Sequence, residues 1–384
     1  MPRLSTRVAM CSWIAAIALA GLARADEART IDKATANKIG DDPLLWYDIR
    51  ALGIEGQGWR ETKAPYDRLP GKAEGVVPAS VWGLSRHSTG LAVRFVTDAS
   101  TLSARWSLRN ASLAMDHMPA TGVSGVDLYV RKPDGGWTWL GIGRPKAQAN
   151  QQILVGGLPA GRREYFLYLP LYNGVDEVQI GLPADSTLET APARPKSKAG
   201  AICFYGTSIT QGGCAARPGM AYPAIIGRKL ERETINLGFS GSGKAEPEVA
   251  ALLAELNPAL FVLDCLPNLD ETGVRERVGP LVETIRQAHP DTPIMLVENI
   301  TYQNSPVVPA SQKNTDSKNV ALKEIYQGLM SSGATGLHYF AGGDLLGDDG
   351  EATVDGTHPT DLGFQRMADA LTPAIQAILE PATP

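Results

Sequence analysis

Between residues 44 and 183 the apolar positions come in short runs that alternate with polar ones. Such runs fall at 91–96, 102–108, 126–130 and 165–169. A period of two places one face of each run in a core and the other in solvent or against a neighbour, which is the pattern of a β-strand. Turn formers separate the runs, among them Pro133-Asp134-Gly135-Gly136 and Asn173-Gly174. No helical period stands out in this half. Closely spaced strands of this kind predict a β-sandwich.

After residue 200 the grammar changes. An apolar run at 201–205 ends at Gly206, and further runs at 235–237, 260–264 and 294–297 read as strands. Between and after them, helical spacing covers 222–232, 247–256, 275–288, 319–330 and 362–379. Strands alternating with helices predict a parallel sheet covered on both faces. Ligands of such sheets sit outside the carboxyl ends of the strands. The stretch 184–199, with Pro192, Pro195 and Lys196-Ser197-Lys198, reads as a linker. The expected organisation is therefore a β-sandwich over 26–183, a linker over 184–199 and an α/β domain over 200–384.

Residues 1–25 read as a cleavable export signal. Arg3 and Arg7 precede an apolar stretch from Val8 to Leu22, and Ala23-Arg24-Ala25 fits a small-residue cleavage site. The apolar stretch is short for a membrane span. The expected location is the periplasm or the outside of the cell, without a membrane anchor once the signal is removed. The 384 residues are 43% hydrophobic and 20% charged, which fits a globular protein and excludes a disordered or fibrous one. The net charge of −5 includes three leader arginines, so no global basic field is present to hold nucleic acid or an anionic membrane.

Cys203 and Cys265 lie in apolar runs and read as small buried hydrophobes, while Cys214 lies in a glycine-rich loop that leaves room for exposure. No local Cys/His spacing suits a structural zinc, so neither a metal nor an organic cofactor is expected.

The candidate chemistry falls where the sheet predicts it. The first run ends in Gly206-Thr207-Ser208-Ile209-Thr210-Gln211-Gly212-Gly213, which sets a serine at a strand's carboxyl end ahead of a helix. Asp355-Gly356-Thr357-His358-Pro359 stands before the last helix. A serine nucleophile needs a base that titrates near neutrality, and histidine supplies it. A carboxylate then fixes the imidazole tautomer. Of five histidines, His358 alone has a carboxylate three residues before it. His289 and His338 read as structural, and His87 and His117 belong to the β half.

These two blocks resemble the first and last blocks of the SGNH, or GDSL-type, hydrolases. The resemblance implies a three-layer α/β/α, flavodoxin-like fold and a Ser–His–Asp triad made of Ser208, His358 and Asp355. It also implies an oxyanion hole. Asn236-Leu237-Gly238-Phe239-Ser240-Gly241 is similar to the second block, which makes Gly241 an amide donor beside that of Ser208, with Gly238 as the alternative. Leu263-Asp264-Cys265-Leu266-Pro267-Asn268 occupies the third block, which makes Asn268 the side-chain donor or, alternatively, a loop cap. Two positions depart from the family pattern: Thr207 stands where Asp is usual, and Leu266 and Leu269 replace Gly and Asp around Asn268. Gly125-Val126-Asp127-Leu128-Tyr129 looks like the Gly-x-Asp-Leu-Tyr signature of a jelly-roll-like β domain that precedes some of these enzymes. The nearby loop 115–122 reads first as a connection between strands, with reach to the active site as the alternative. Trp59, Trp82, Trp137 and Trp139 suggest a sugar-stacking surface or, more simply, packing.

Rival readings are weaker. Gly238 to Lys244 nearly fits a phosphate-binding loop, but Ala245 replaces the hydroxyl that would bind magnesium. The G-x-S-x-G elbow is absent. The sequence thus predicts an exported serine esterase without cofactor, acting on short acyl esters of a carbohydrate or small molecule. A lipase, thioesterase or peptidase on the same triad, and a non-catalytic carbohydrate binder, are the alternatives.

Overall fold

The computed structural model describes residues 28–380, so the expected leader at 1–25 lies outside the described residues. The first half holds two antiparallel sheets. One runs in the order Leu44–Asp48, Val175–Pro183, Leu102–Leu108, Ala149–Val155. The other runs Leu188–Thr190, Ala92–Thr97, Arg163–Tyr168, Val126–Arg131, Trp137–Gly143, with Ile54–Glu55 paired to Ala92–Thr97. Their inner faces meet in a core that includes Phe95, Trp106, Leu128, Tyr165 and Ile180. This is the expected sandwich.

Two local differences have physical reasons. The stretch read as a linker contains the strand Leu188–Thr190, which pairs antiparallel with Ala92–Thr97. The half read as purely β contains the helix Ala79–Ser85. That helix and the segment before it turn away from the sandwich: Leu69, Ala73, Val77 and Val81 enter a core of the second half instead.

The second half is built on a parallel sheet in the order Thr234–Gly238, Ile202–Gly206, Leu260–Asp264, Ile294–Val297, Leu337–Phe340. The strands Ile202–Gly206 and Leu260–Asp264 are buried at every residue, as a sheet covered on both faces requires. Helices Pro247–Leu253, Glu271–Ala288 and Pro309–Ser331 cover one face. Helices Tyr222–Leu230 and Asp361–Leu379 cover the other. This is the expected three-layer α/β/α arrangement. Pro309–Ser331 starts ten residues before the helical period read from the sequence, because its first turns are mostly exposed and polar and carry no apolar stripe.

The two halves are locked together by the residues of the Gly-x-Asp-Leu-Tyr stretch. Asp127 is fully buried and accepts from Arg217 Nη1 at 2.9 Å, from the Gly219 amide at 2.9 Å and from Trp139 Nε1 at 3.0 Å. Tyr129 bonds Arg217 through its hydroxyl, and a β-carbon on Gly219 would come within 2.4 Å of its ring. Only glycine allows that approach. The buried Arg68 crosses the seam as well. It donates to the carbonyls of Asn236 (3.0 Å), Gly238 (2.7 Å), Leu84 (2.7 Å) and His87 (3.1 Å) and packs over the Phe239 ring. The carboxyl end of Thr234–Gly238, where the second block begins, is therefore held by a side chain from the other half.

Candidate active site

The strand Ile202–Gly206 delivers its chain directly into a one-turn helix, Ser208–Gln211. The junction is tight. A β-carbon on Gly206 would lie 2.0 Å from Thr210 Oγ1 and 2.4 Å from the Asp264 carbonyl. Gly212 ends the turn at φ 96°, a left-handed conformation that suits glycine. Ser208 is thereby fixed at the first helical position, nearly buried, where helix geometry leaves its own amide without an internal partner.

His358 reaches it from the segment before the last helix. Its Nε2 lies 2.9 Å from Ser208 Oγ, and its Nδ1 lies 2.7 Å from Asp355 Oδ2. Gly356, at φ 85°, lets the segment fold back so that Asp355 Oδ1 accepts from the amides of Thr357 (3.0 Å) and His358 (2.7 Å). Partial burial alone would raise the Asp355 carboxyl, but those amides and the imidazole hold it below the usual value. An ionised Asp355 accepts a hydrogen bond from Nδ1–H, which keeps the proton on that nitrogen and leaves Nε2 free to accept from the serine hydroxyl. The three residues named from the sequence are thus in one hydrogen-bonded line at the carboxyl edge of the sheet.

The other named donors lie in adjoining turns. Phe239 to Ser242 forms a turn closed by the Ser242 amide on the Phe239 carbonyl at 3.0 Å, with Gly241 at φ 68°. Nothing lies within 4 Å of where a Gly241 β-carbon would stand, so the space on that side of the turn is open. Asn268 ends the short turn Leu266–Asn268 and donates its amide to the Ser242 carbonyl at 2.6 Å. Gly238, the alternative donor, is otherwise engaged: its amide donates to Asn236 Oδ1 at 2.9 Å, and it packs against the nucleophile helix.

Several neighbours of the site carry no motif of their own. Gln211 accepts the Ser240 amide at 2.9 Å and donates to the Leu171 carbonyl (3.1 Å) and to His87 Nδ1 (3.2 Å). Burial, aided by Arg68 and Arg109, pushes His87 down to about 3, so it stays neutral and can accept that bond. Tyr172 donates its hydroxyl to the Ser208 carbonyl at 3.3 Å. The loop 115–122 is more than a connection. Met118 enters a core of the second half, and Thr121 Oγ1 donates to the Ala216 carbonyl at 2.6 Å. His117 stands edge-on to His358 with ring centroids 5.7 Å apart.

One reading needs correction. Cys214 is buried, not open to solvent. Cys203 and Cys265 are buried as read, and all three are unpaired. The tryptophans mostly pack, the simpler of their two readings: Trp59 lies in a core and bonds Glu255, Trp82 packs against the same core, Trp137 packs against another cluster, and Trp139 alone of the four is exposed. Among the described residues one group, His117, Cys214 and His358, could hold a cation.

Comparison with known proteins identifies the arrangement. The pattern of the GDSL-like lipase/acylhydrolase family matches residues 199–376, and that of the N-terminus of SGNH-hydrolase-type esterases matches 44–188. A solved GDSL-like protein from Bacteroides ovatus is 34% identical, over 88% of this chain and 98% of its own, with a TM-score of 0.83. The chain belongs to the GDSL-like, SGNH hydrolase family. It is an ester-hydrolysing enzyme. Two more distant structures share its fold. A salicylyl-acyltransferase from a tetracycline biosynthetic pathway is 21% identical, over 94% of this chain and 99% of its own, at TM-score 0.67. A family two carbohydrate esterase from Clostridium thermocellum is 17% identical, over 76% and 95%, at 0.56. No curated protein sequence matches the chain.

Proposed function

We propose that this SGNH hydrolase is an exported serine esterase that removes short acyl groups, acetyl foremost, from a carbohydrate. The observation that carries the catalytic part is the continuous line from Ser208 through His358 to Asp355, with contacts of 2.9 and 2.7 Å. Ser208 Oγ attacks the ester carbonyl as His358 Nε2 takes its proton. The ester oxygen gains the electron pair and is met by the amides of Ser208 and Gly241 and by the Asn268 side chain. His358 then protonates the departing alcohol. Water, deprotonated by the same imidazole, releases the acid and restores the serine. Asp355 steadies the imidazolium through both steps.

The carbohydrate part is supported by the fold shared with carbohydrate esterases. The export part is supported by the sequence of residues 1–25. The test is a panel of acetylated glycans and p-nitrophenyl esters of rising chain length, with released acid measured for wild type and Ser208→Ala. Acid release that falls with chain length, and that vanishes in a folded Ser208→Ala, is the expected result. A serine-reactive phosphonate should label Ser208. Turnover in the alanine variant would overturn the nucleophile, and a preference for long acyl chains would overturn the substrate.

A further inference from the structure

Three metal-ligating side chains from three separate stretches meet beside the nucleophile. His117 comes from the β half, Cys214 follows the nucleophile helix, and His358 precedes the last helix. One ligand atom from each lies within 4.8 Å of the other two. We propose that this cluster is an inhibitory binding site for a thiophilic divalent cation such as Zn²⁺. The inhibitory part rests on the reading of His358 as the general base.

Two imidazoles and a thiolate form a donor set that suits zinc, with a fourth position left for water. Zinc–ligand bonds of about 2.0–2.3 Å require the three atoms to draw somewhat closer than they stand. His117 is exposed on its loop and is the ligand able to move, whereas Cys214 is buried and His358 is held by Asp355.

The second argument is the tautomer. Metal-bound histidines commonly donate their other ring N–H to a carboxylate. His358 already does so, through Nδ1 to Asp355 at 2.7 Å. The lone pair on Nε2 that accepts the serine proton is the one a cation would take. Cation binding and proton transfer from Ser208 are therefore mutually exclusive, and no side chain need change its protonation apart from the thiol.

Cys214 supplies a third observation. It is a non-glycine residue at φ 74°, in the left-handed region. Holding a cysteine there strains the backbone. The negative charge of Asp355, in contact with His358, favours a dication at the cluster. Binding exchanges the thiol proton for the cation: one proton passes to solvent and no electron moves.

The test is a Co²⁺ titration of the full chain, followed by displacement with Zn²⁺. The wild type should show a thiolate-to-cobalt charge-transfer band that saturates at one ion per chain. Zn²⁺ should abolish the band and inhibit ester hydrolysis, and a chelator should restore turnover. Cys214→Ser should lose the band, keep metal-free turnover, and need at least tenfold more Zn²⁺ for half-inhibition. His117→Gln should weaken Co²⁺ binding to a similar degree. Ser208→Ala should retain the band, because it lacks only the nucleophile. Absence of a wild-type band at millimolar cobalt, or zinc inhibition unchanged in Cys214→Ser, would overturn the site. Turnover in Ser208→Ala would instead overturn the catalytic reading while leaving the cobalt result standing.

Discussion

Asn268 spends the resting state bonded to the Ser242 carbonyl at 2.6 Å. To meet an oxyanion its amide must use its second N–H or exchange that partner, so its contribution exists only along the reaction path. Asn268→Ala should lower kcat by roughly 10²–10³ with little change in KM. Asp355→Asn keeps the shape but permits the wrong imidazole tautomer, and a loss on the order of 10⁴ in kcat is expected. Steady-state kinetics on one soluble ester, with folding checked by circular dichroism, read both. Near-normal kcat in Asn268→Ala would leave the oxyanion to backbone amides, and near-normal kcat in Asp355→Asn would leave a Ser–His dyad. Residues of this kind were legible because each sits in a short local block. Tyr172 and His87 were not, because each becomes a neighbour of the site only through tertiary contact across the seam between the halves, and the reach of the His117 loop was readable only as an alternative; Gln211 sits in the first block, but its bonds to Ser240, Leu171 and His87 are tertiary.

The strand Leu260–Asp264 shows the same division one scale up. Its five apolar or terminal positions were readable to the residue, as were those of Ile294–Val297. Leu337–Phe340 was missed, since only Leu337 is buried and a short mixed run carries little period. What periodicity could not disclose is the role of the strand's last residue. Asp264 accepts from Tyr222 (2.9 Å) and Thr210 Oγ1 (3.2 Å), tying the nucleophile helix to the helix that follows. Burial pushes its carboxyl up to about 7, against the pull of Tyr222 and Thr210. Below the unfolded value both states hold the proton and pH has no effect. As pH rises toward 7 the unfolded chain ionises first, so stability falls, and the loss is complete once the folded carboxyl has also ionised. Denaturant unfolding between about pH 5 and about pH 8 should show wild type losing on the order of 2–3 kcal/mol relative to Asp264→Asn. Parallel pH dependence of the two proteins would reject a protonated Asp264.

Over the whole molecule, the seam is held by buried polar contacts from both halves. Asp127 is buried against Arg217 and Gly219, on the loop that follows the nucleophile helix. Asp127→Ala would leave a half-buried guanidinium and a buried amide without their acceptor, at about 3–5 kcal/mol. Thermal unfolding should shift down, and turnover should fall because the 212–219 loop loses its outer anchor. A variant with unchanged melting would show that the latch is ornamental. The sequence separated the two halves by their periodicity, yet it gave no sign that Trp59, Leu69 and Val81 belong to the core of the second half, or Met118 and Leu171 to its other face. The chain's grammar and its packing therefore draw different borders. An isolated 199–376 piece would carry Ser208, His358 and Asp355, but the places filled by those five apolar side chains would stand bare. Such a truncate should fail by clumping before it fails by chemistry, going to inclusion bodies or soluble aggregates where the intact chain stays dispersed. The proline-rich stretch between the halves is a convenient place for scissors, and a poor one for making two working proteins out of one.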